Sequence, residues 1–473
     1  MRRSRNRLVV SLLASGFLRN LLPILLGVGI VAGFVGGPVR PARADGAFPE
    51  AQSVLLPRDR PNEIVLATTF GLVSTEDGGA TWHFSCEASN TPMVGGGRYA
   101  MGPPPEDRIY AKTDIGPGVS SDSACTWSLG SGGPPPIPDS TVRAPFDIFP
   151  DPTDPNRVFA LFQEFPDPGV VFRSLDAGAT YAGPLYTTSA DTALTGIESS
   201  SSDPRTVYVT TYQGPGYHPR LVTSLDGGDT WNVADLEPQL GTVAPSLAAV
   251  DPADARKIYL RVNTQAGSGE QYQGIAITTD GGSTWTLPLK VPGGALTGFV
   301  RLSDQILLAI GQTPGANVGD PTIPTLFRSE DAGQAFLSET LPFHPLGLSQ
   351  RDGIAYVVTP DLGDGFALTS SSDSGRTWTP RLRFRNIVDV KECVRKSCSA
   401  ACDNLAGLAL FPASVCNPPT PPPSSGGGCA MTHPVPTGLG AALLLAGLLG
   451  ASRIRRSLRR PSSSSSPSSS SSA

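Results

Sequence analysis

Ser224-Leu225-Asp226-Gly227-Gly228-Asp229-Thr230-Trp231 is the stretch that decides the architecture, because its frame of Ser/Thr, Asp, Gly, Thr and aromatic returns along the chain. Close copies are Thr75-Glu76-Asp77-Gly78-Gly79-Ala80-Thr81-Trp82, Thr278-Thr279-Asp280-Gly281-Gly282-Ser283-Thr284-Trp285 and Ser371-Ser372-Asp373-Ser374-Gly375-Arg376-Thr377-Trp378. Residues 174–181 keep the frame with Tyr181 for Trp. Residues 120–127 have Ala124 where Gly belongs. Residues 329–336 are the most worn, with Ala335 and Phe336 closing the frame. The aspartates Asp77, Asp122, Asp176, Asp226, Asp280, Asp331 and Asp373 are 45, 54, 50, 54, 51 and 42 residues apart, the length of one sheet of a repeat-built ring.

Each position has a physical task. The Asp carboxylate accepts backbone N–H groups ahead of it and closes the turn. The Ser or Thr two residues earlier caps the same loop, and Gly takes a positive φ that a Cβ would penalise. The late Thr is expected to tie the next strand, and the aromatic to bury its ring. Ahead of each frame stands a short apolar run: Ile64-Val65-Leu66, Ile109-Tyr110-Ala111, Val158-Phe159-Ala160-Leu161, Val207-Tyr208-Val209, Ile258-Tyr259-Leu260, Ile306-Leu307-Leu308 and Ile354-Ala355-Tyr356-Val357. Asp-Pro turns at Asp154, Asp203 and Asp251 precede three of them, and further strands, such as 144–149 and 246–250, lie upstream. The unit reads strand, turn, strand, loop, strand, Asp turn, strand. Seven such units predict an all-β, seven-bladed β-propeller with four-stranded antiparallel blades over residues 45–390. Either 46–50 or 387–390 is left to close the ring, and the second is favoured.

These frames resemble the Asp-box (BNR) propeller superfamily, which includes sialidases, xyloglucanase-type glycosidases, sortilin-type receptors and photosystem-assembly propellers. The resemblance covers roughly residues 46–385. It implies the fold and leaves function open, because the turn is structural in all of them.

The two ends carry different signals. Residues 1–44 hold seven Arg and no acid, an apolar stretch, and an Ala42-Arg43-Ala44 site before Asp45. This reads as an export signal cleaved after Ala44, with an uncleaved anchor as the alternative. Residues 418–428 form a Pro/Ser/Gly linker. Cys429, an apolar run over 435–451 and an arginine cluster at 453–460 follow, then a Ser-rich tail over 461–473. The segment 429–460 resembles the myxobacterial-type C-terminal sorting domain, in which the tail is a processing signal and the Cys marks the junction. The Ser-rich extension departs from that pattern. A plain transmembrane helix is the alternative. The chain is therefore expected to be exported and held at the cell surface or membrane with the propeller outside the cytoplasm.

The other six cysteines are expected in disulfides. Cys86 and Cys125 stand at comparable places in neighbouring units and suggest a blade-to-blade staple. Cys393, Cys398, Cys402 and Cys416 suggest a compact stapled helical segment over 391–417, with three connectivities open; zinc is the competing idea, though no C-x-x-C is present. His83, His218, His344 and His433 share no ligand spacing, and no metal or cofactor is expected.

With the terminal arginines set aside, the rest of the chain holds 24 basic against 41 acidic residues, a net charge of −17. Such a body repels phosphates, which argues against nucleic acid and against an assembly factor that docks an anionic partner. No arginine triad or R-I-P motif of the sialidase kind is present; Pro57-Arg58-Asp59 comes nearest. A glycosidase needs two acids facing one cleft, and Asp147, Glu198 and Glu164 are the candidates on or near inner strands. Arg98, Tyr99 and Arg301 are candidates for ligand contact, or for ion pairs with Asp147 or Glu198. The reading is a monomeric surface propeller that binds a protein or glycan, with a glycoside hydrolase as the alternative.

Overall fold

A computed structural model describes residues 49–86, 99–105, 107–135, 144–163, 167–265 and 269–417. Ala44, Cys429, the signal segment, the linker and the C-terminal apolar run lie outside these residues. Within them, no helix is long and apolar enough to cross a membrane.

Seven sheets form the ring. Their inner strands are Ala51–Leu55, Tyr99–Met101, Asp147–Pro150, Thr192–Ser199, Val243–Val250, Ala295–Arg301 and Gly347–Arg351, which open blades 1 to 7 in order. Each blade then continues outward through three more antiparallel strands. The expected strands lie where the apolar runs placed them, within a residue or a few. The run beginning at Ile306 starts at Leu307, and the one predicted over 144–149 is Asp147–Pro150.

The second strand of a blade is sandwiched between neighbouring sheets, so both its faces are apolar, and alternation sends successive side chains to opposite seams. In blade 3, Phe159 and Leu161 pack on Leu194, Ile197, Val207, Val209 and Val222 of blade 4. Val158, Ala160 and Phe162, between them in sequence, pack towards Tyr110 of blade 2. Leu307 and Ala309 likewise face blade 5, whereas Leu308 and Ile310 face blade 7. The core is thus divided among the seams. Each buried Leu, Val or Phe contributes on the order of 1.5–3 kcal/mol. The outermost strands, such as Asn232–Asp235 and Leu337–Thr340, are exposed throughout.

The repeated turn joins the third and fourth strands. In blade 4, Ser224 Oγ donates to Asp226 Oδ1 at 2.7 Å, and the Gly228 amide donates to Ser224 Oγ at 2.7 Å. The Thr230 amide donates to Asp226 Oδ1 at 2.8 Å, while the Thr230 hydroxyl donates to Oδ2 at 2.6 Å. The late Thr therefore binds back onto the Asp and not onward to the next strand as expected. A free hydroxyl four residues on in a tight turn reaches the carboxylate first. Two consecutive positions, not one, have positive φ: Gly227 at 80° and Gly228 at 100°. A Cβ on Gly228 would lie 3.3 Å from Phe159 of blade 3, so this glycine also lets the turn close onto its neighbour. In the worn copy, Ala335 supplies only its amide to Asp331 and the hydroxyl bond is missing.

Blade 7 meets blade 1 through the chain's later residues. Asp389–Val390 adds a parallel fifth strand to blade 1 beside His83 and Phe84, so the 387–390 stretch does close the ring. The guanidinium of Arg351 in blade 7 donates to the carbonyls of Pro57, Arg60, Pro61 and Glu63 in blade 1. A helix, Arg395–Gly407, then lies on blade 1, with Cys398, Cys402, Phe411 and Val415 buried alongside Phe84 and Phe384.

The disulfides correct the expected pairing. Cys86 and Cys125 are not bridged to each other. Cys86 pairs with Cys398, Cys125 with Cys393, and Cys402 with Cys416. The four late cysteines are not a closed cluster either, since only one bridge joins two of them. The segment sits against the outer edges of blades 1 and 2, and each early cysteine meets it before it could meet the other.

Candidate functional site

All inner strands run the same way, so their first residues share one face of the ring with the loops between second and third strands. The Asp turns lie on the opposite face. Their carboxylates are consumed locally: hydrogen bonds from Thr284, then from Thr278, hold Asp280 down at about 2, and the same arrangement holds Asp176 at about 2.

On the first face the channel opens into a cavity of about 630 Å³ lined by Glu50, Ala51, Gln52, Ser53, Tyr99, Ala100, Lys112, Asp147, Ile148, Thr297 and Leu346. Deeper, a narrower space of about 240 Å³ is lined by Asp147, Thr195, Glu198, Ser246, Arg261 and Phe299, among others. Asp147 belongs to both. The inner strands of blades 3 and 4 thus bring together two of the acids singled out by sequence, Asp147 and Glu198. Glu198 accepts the Val250 amide of blade 5 at 2.9 Å. Desolvation, and then the charge of Asp147, push its carboxyl up to about 7 against the pull of that amide. Asp147 accepts the amide of Ile148 at 3.0 Å.

Tyr99 lines the mouth, its ring centroid 6.1 Å from that of Trp127. Glu164 and Arg98 lie outside the described residues. Arg301 is not a channel residue facing Asp147 or Glu198. It ends its strand on the far face and pairs with Asp251 of blade 5 at 2.6 Å and with Asp304. Its role is to link blades 5 and 6. The physical reason is position: the last residue of an inner strand reaches the neighbouring blade's Asp-Pro turn, while the first residue reaches the mouth.

Sequence reasoning missed Glu50, Gln52, Lys112 and Arg261. Lys112 had a visible signal, a cation interrupting the apolar run from Ile109, and it makes no ion pair among the described residues. Arg261 donates to the Leu296 carbonyl at 3.1 Å, bridging blades 5 and 6. The mouth therefore offers two carboxylates, Glu50 and Asp147, a lysine, an amide and a phenol around one opening, with the Glu198 carboxyl deeper beside Asp147. Among the described residues no group of three or more His, Cys, Asp or Glu is placed to hold a metal.

The fold defines a class: a seven-bladed β-propeller of four-stranded antiparallel blades. The xyloglucanase of Hypocrea jecorina is 25% identical over 365 residues, which cover 67% of this chain and 42% of that protein. Xyloglucanase Xgh74A of Acetivibrio thermocellus is 24% identical over 268 residues, 49% of this chain and 30% of the relative. The chain thus spans less than half the length of these curated relatives. Among solved structures, YCF48 from Cyanidioschyzon merolae is similar at 13% identity, with a TM-score of 0.46, over 68% of this chain and 94% of that one. The Niastella koreensis GH74 enzyme is similar at 13% identity and a TM-score of 0.42, over 70% of this chain and 65% of that one. The BP39L lectin from Burkholderia pseudomallei has 15% identity and a TM-score of 0.45, over 71% and 99%. No family model matches the chain.

Proposed function

We propose that this protein is an exported propeller, held outside the cytoplasm by its C-terminal segment, that binds a polar ligand, a glycan or a protein segment, at the channel mouth. The observation that carries the reading is the cavity of about 630 Å³ lined by Glu50, Gln52, Ser53, Tyr99, Lys112 and Asp147. An opening with one aromatic ring and convergent polar groups of both charges suits a ligand rich in hydroxyls or amides. The mouth lies on the face away from the Asp turns.

A second reading, glycoside hydrolysis, is favoured by one observation. Glu198 is pushed up to about 7 beside Asp147, and a carboxyl raised towards neutrality can serve as a general acid. The Val250 amide on Glu198 weighs against it, since that carboxylate already serves the seam between blades 4 and 5.

The test is a glycan-array and glycosidase screen of the chain made in an oxidising compartment. The binding reading expects retention of a glycan without turnover, lost in Tyr99→Ala and in Asp147→Asn. Turnover that disappears in Glu198→Gln would replace it with the hydrolase reading. Intact-mass measurement of the cell-associated form tests attachment: the expectation is a chain starting at Asp45 and ending close to Cys429.

A further inference from the structure

Four polar side chains at the channel mouth are not used inside the described part of the protein. Glu50, Gln52, Ser53 and Lys112 all line the cavity of about 630 Å³ and are half-buried. None makes a side-chain hydrogen bond or ion pair with another described residue. Their backbones, by contrast, are fixed. The Glu50 amide donates to Thr69 Oγ1 at 3.0 Å, and the Thr69 amide donates back to the Glu50 carbonyl at 2.9 Å. Gln52 is the extra residue of a β-bulge, since Ala51 pairs with Thr68 and Ser53 with Ala67. A bulge takes a side chain out of the strand's alternation and re-aims it. Blade 7 closes on this bulge at Gly347, where a Cβ would come within 2.8 Å of the Gln52 carbonyl. Lys112 pairs with Pro117 in the sheet of blade 2 and stands between the buried Ala111 and Thr113.

Lys112 sets the charge of the ligand. A half-buried ammonium has lost part of its hydration and recovers the cost only from an acceptor. Glu50 and Asp147 line the same cavity, yet neither forms an ion pair with it. An anion entering the mouth supplies the acceptor. The same two carboxylates limit that anion to one negative charge, because they repel a phosphate dianion or a run of acids. The Glu50 carboxylate only accepts, while Gln52 and Ser53 donate and accept. The ligand must therefore carry several donors close to its own carboxylate. A uronic acid holds a carboxylate and hydroxyls on one ring, and its C–H face suits the ring of Tyr99. A peptide terminus has only one amide beside its carboxylate.

We infer that the channel mouth selects a glycan carrying a single uronic acid residue, with Lys112 binding the carboxylate and Glu50, Gln52 and Ser53 the hydroxyls around it. This inference rests on the reading of the mouth as a ligand site and adds which ligand it prefers.

The experiment titrates the full chain by calorimetry with disaccharides of one uronic acid, glucuronic or galacturonic, and one neutral sugar. Their methyl esters, which keep the hydroxyls and lose the charge, are the matched controls. One acid should bind at least tenfold more tightly than its ester, and added salt should shrink the difference. Lys112→Gln should bring acid and ester to equal affinity with the melting temperature unchanged, whereas Lys112→Arg should keep the preference. The inference is overturned if acid and ester bind wild type equally, or if Lys112→Gln keeps the preference. Equal binding of acid and ester that is lost in Tyr99→Ala overturns it while leaving the channel-mouth reading standing. So does a peptide that binds by its terminal carboxylate through Lys112 where no uronate binds. Failure of acids, esters and peptides alike overturns both.

Discussion

Between blades 3 and 4 the chain passes directly from one sheet to the next, and the seam is filled by Phe159, Leu161 and Val171 against Ile197, Val207, Val209 and Val222. Arg157 adds a hydrogen bond to the Pro204 carbonyl at 3.0 Å, and Arg173 one to the Gly227 carbonyl at 2.6 Å. Between blades 7 and 1 the sequence offers no such passage, since almost the whole ring separates them. That seam recruits the buried Arg351 and the parallel strand Asp389–Val390, and the segment that follows is bridged through Cys398 to Cys86 in blade 1 and through Cys393 to Cys125 in blade 2. An ordinary seam is stabilised by alternation within its strands, and the closing seam by parts that the repeat does not contain.

The strongest way to break this contrast is to remove both long bridges at once, with Ser at Cys86, Cys125, Cys393 and Cys398. A native bridge is typically worth about 2–4 kcal/mol. The melting temperature should fall far, and amide exchange should rise first over 387–390. Unchanged melting would mean that the closing seam is no different from the rest.

Phe159→Ala should come next, at about 3–5 kcal/mol, because Phe159 is fully buried between blades 3 and 4. Its exchange signature should centre on blades 3 and 4 and spare 387–390. If the closing seam opens first here as well, the seams are not separable.

Glu198 gives a smaller effect with a definite sign. Its folded pKa of about 7 lies above the ordinary carboxylate value of 4.5, so the folded state holds a proton that the unfolded chain releases. Its contribution is full below about pH 4.5 and is lost as pH rises through 7. Glu198→Gln should flatten that slope and stabilise the protein by roughly 2–3 kcal/mol at pH 8. Urea melts of both proteins across pH 4–8 check it.

Smallest is the turn. Asp226→Ala leaves the Asp229 and Thr230 amides and the Ser224 and Thr230 hydroxyls without their acceptor and should lower the melting temperature modestly. Asp331→Ala should cost less, since that turn already lacks one hydrogen bond. The wild-type turns should weaken only in acid. Asp176 and Asp280 sit at about 2, below their unfolded value near 3.8, so their stabilisation holds above that value and fades as pH falls through 2.

The ring was legible because its information is local. A turn whose eight residues bond mainly to one another, and strands whose alternation names both neighbours, can be read without knowing the fold. Asp147 and Glu198 were legible for the same reason, since strand order puts them on adjacent inner strands. The partners of Cys86 and Cys125 were not, because pairs 312 and 268 residues apart depend on where the final segment lands. Arg301 was misread because its residue type fits a ligand as well as a seam, and only its place at the far end of the strand decides between them. Arg351 resembles any surface arginine until the carbonyls of another blade converge on it.

The last bridge has a mechanical consequence. A pull applied at Asn417 enters Cys416, crosses to Cys402, runs back about one helical turn to Cys398 and leaves through Cys86. A pull from that end is therefore delivered by covalent bonds to the outer edge of blade 1. Strand Asp389–Val390 and the junction of blades 7 and 1 lie off that line, so such a pull does not unzip the ring.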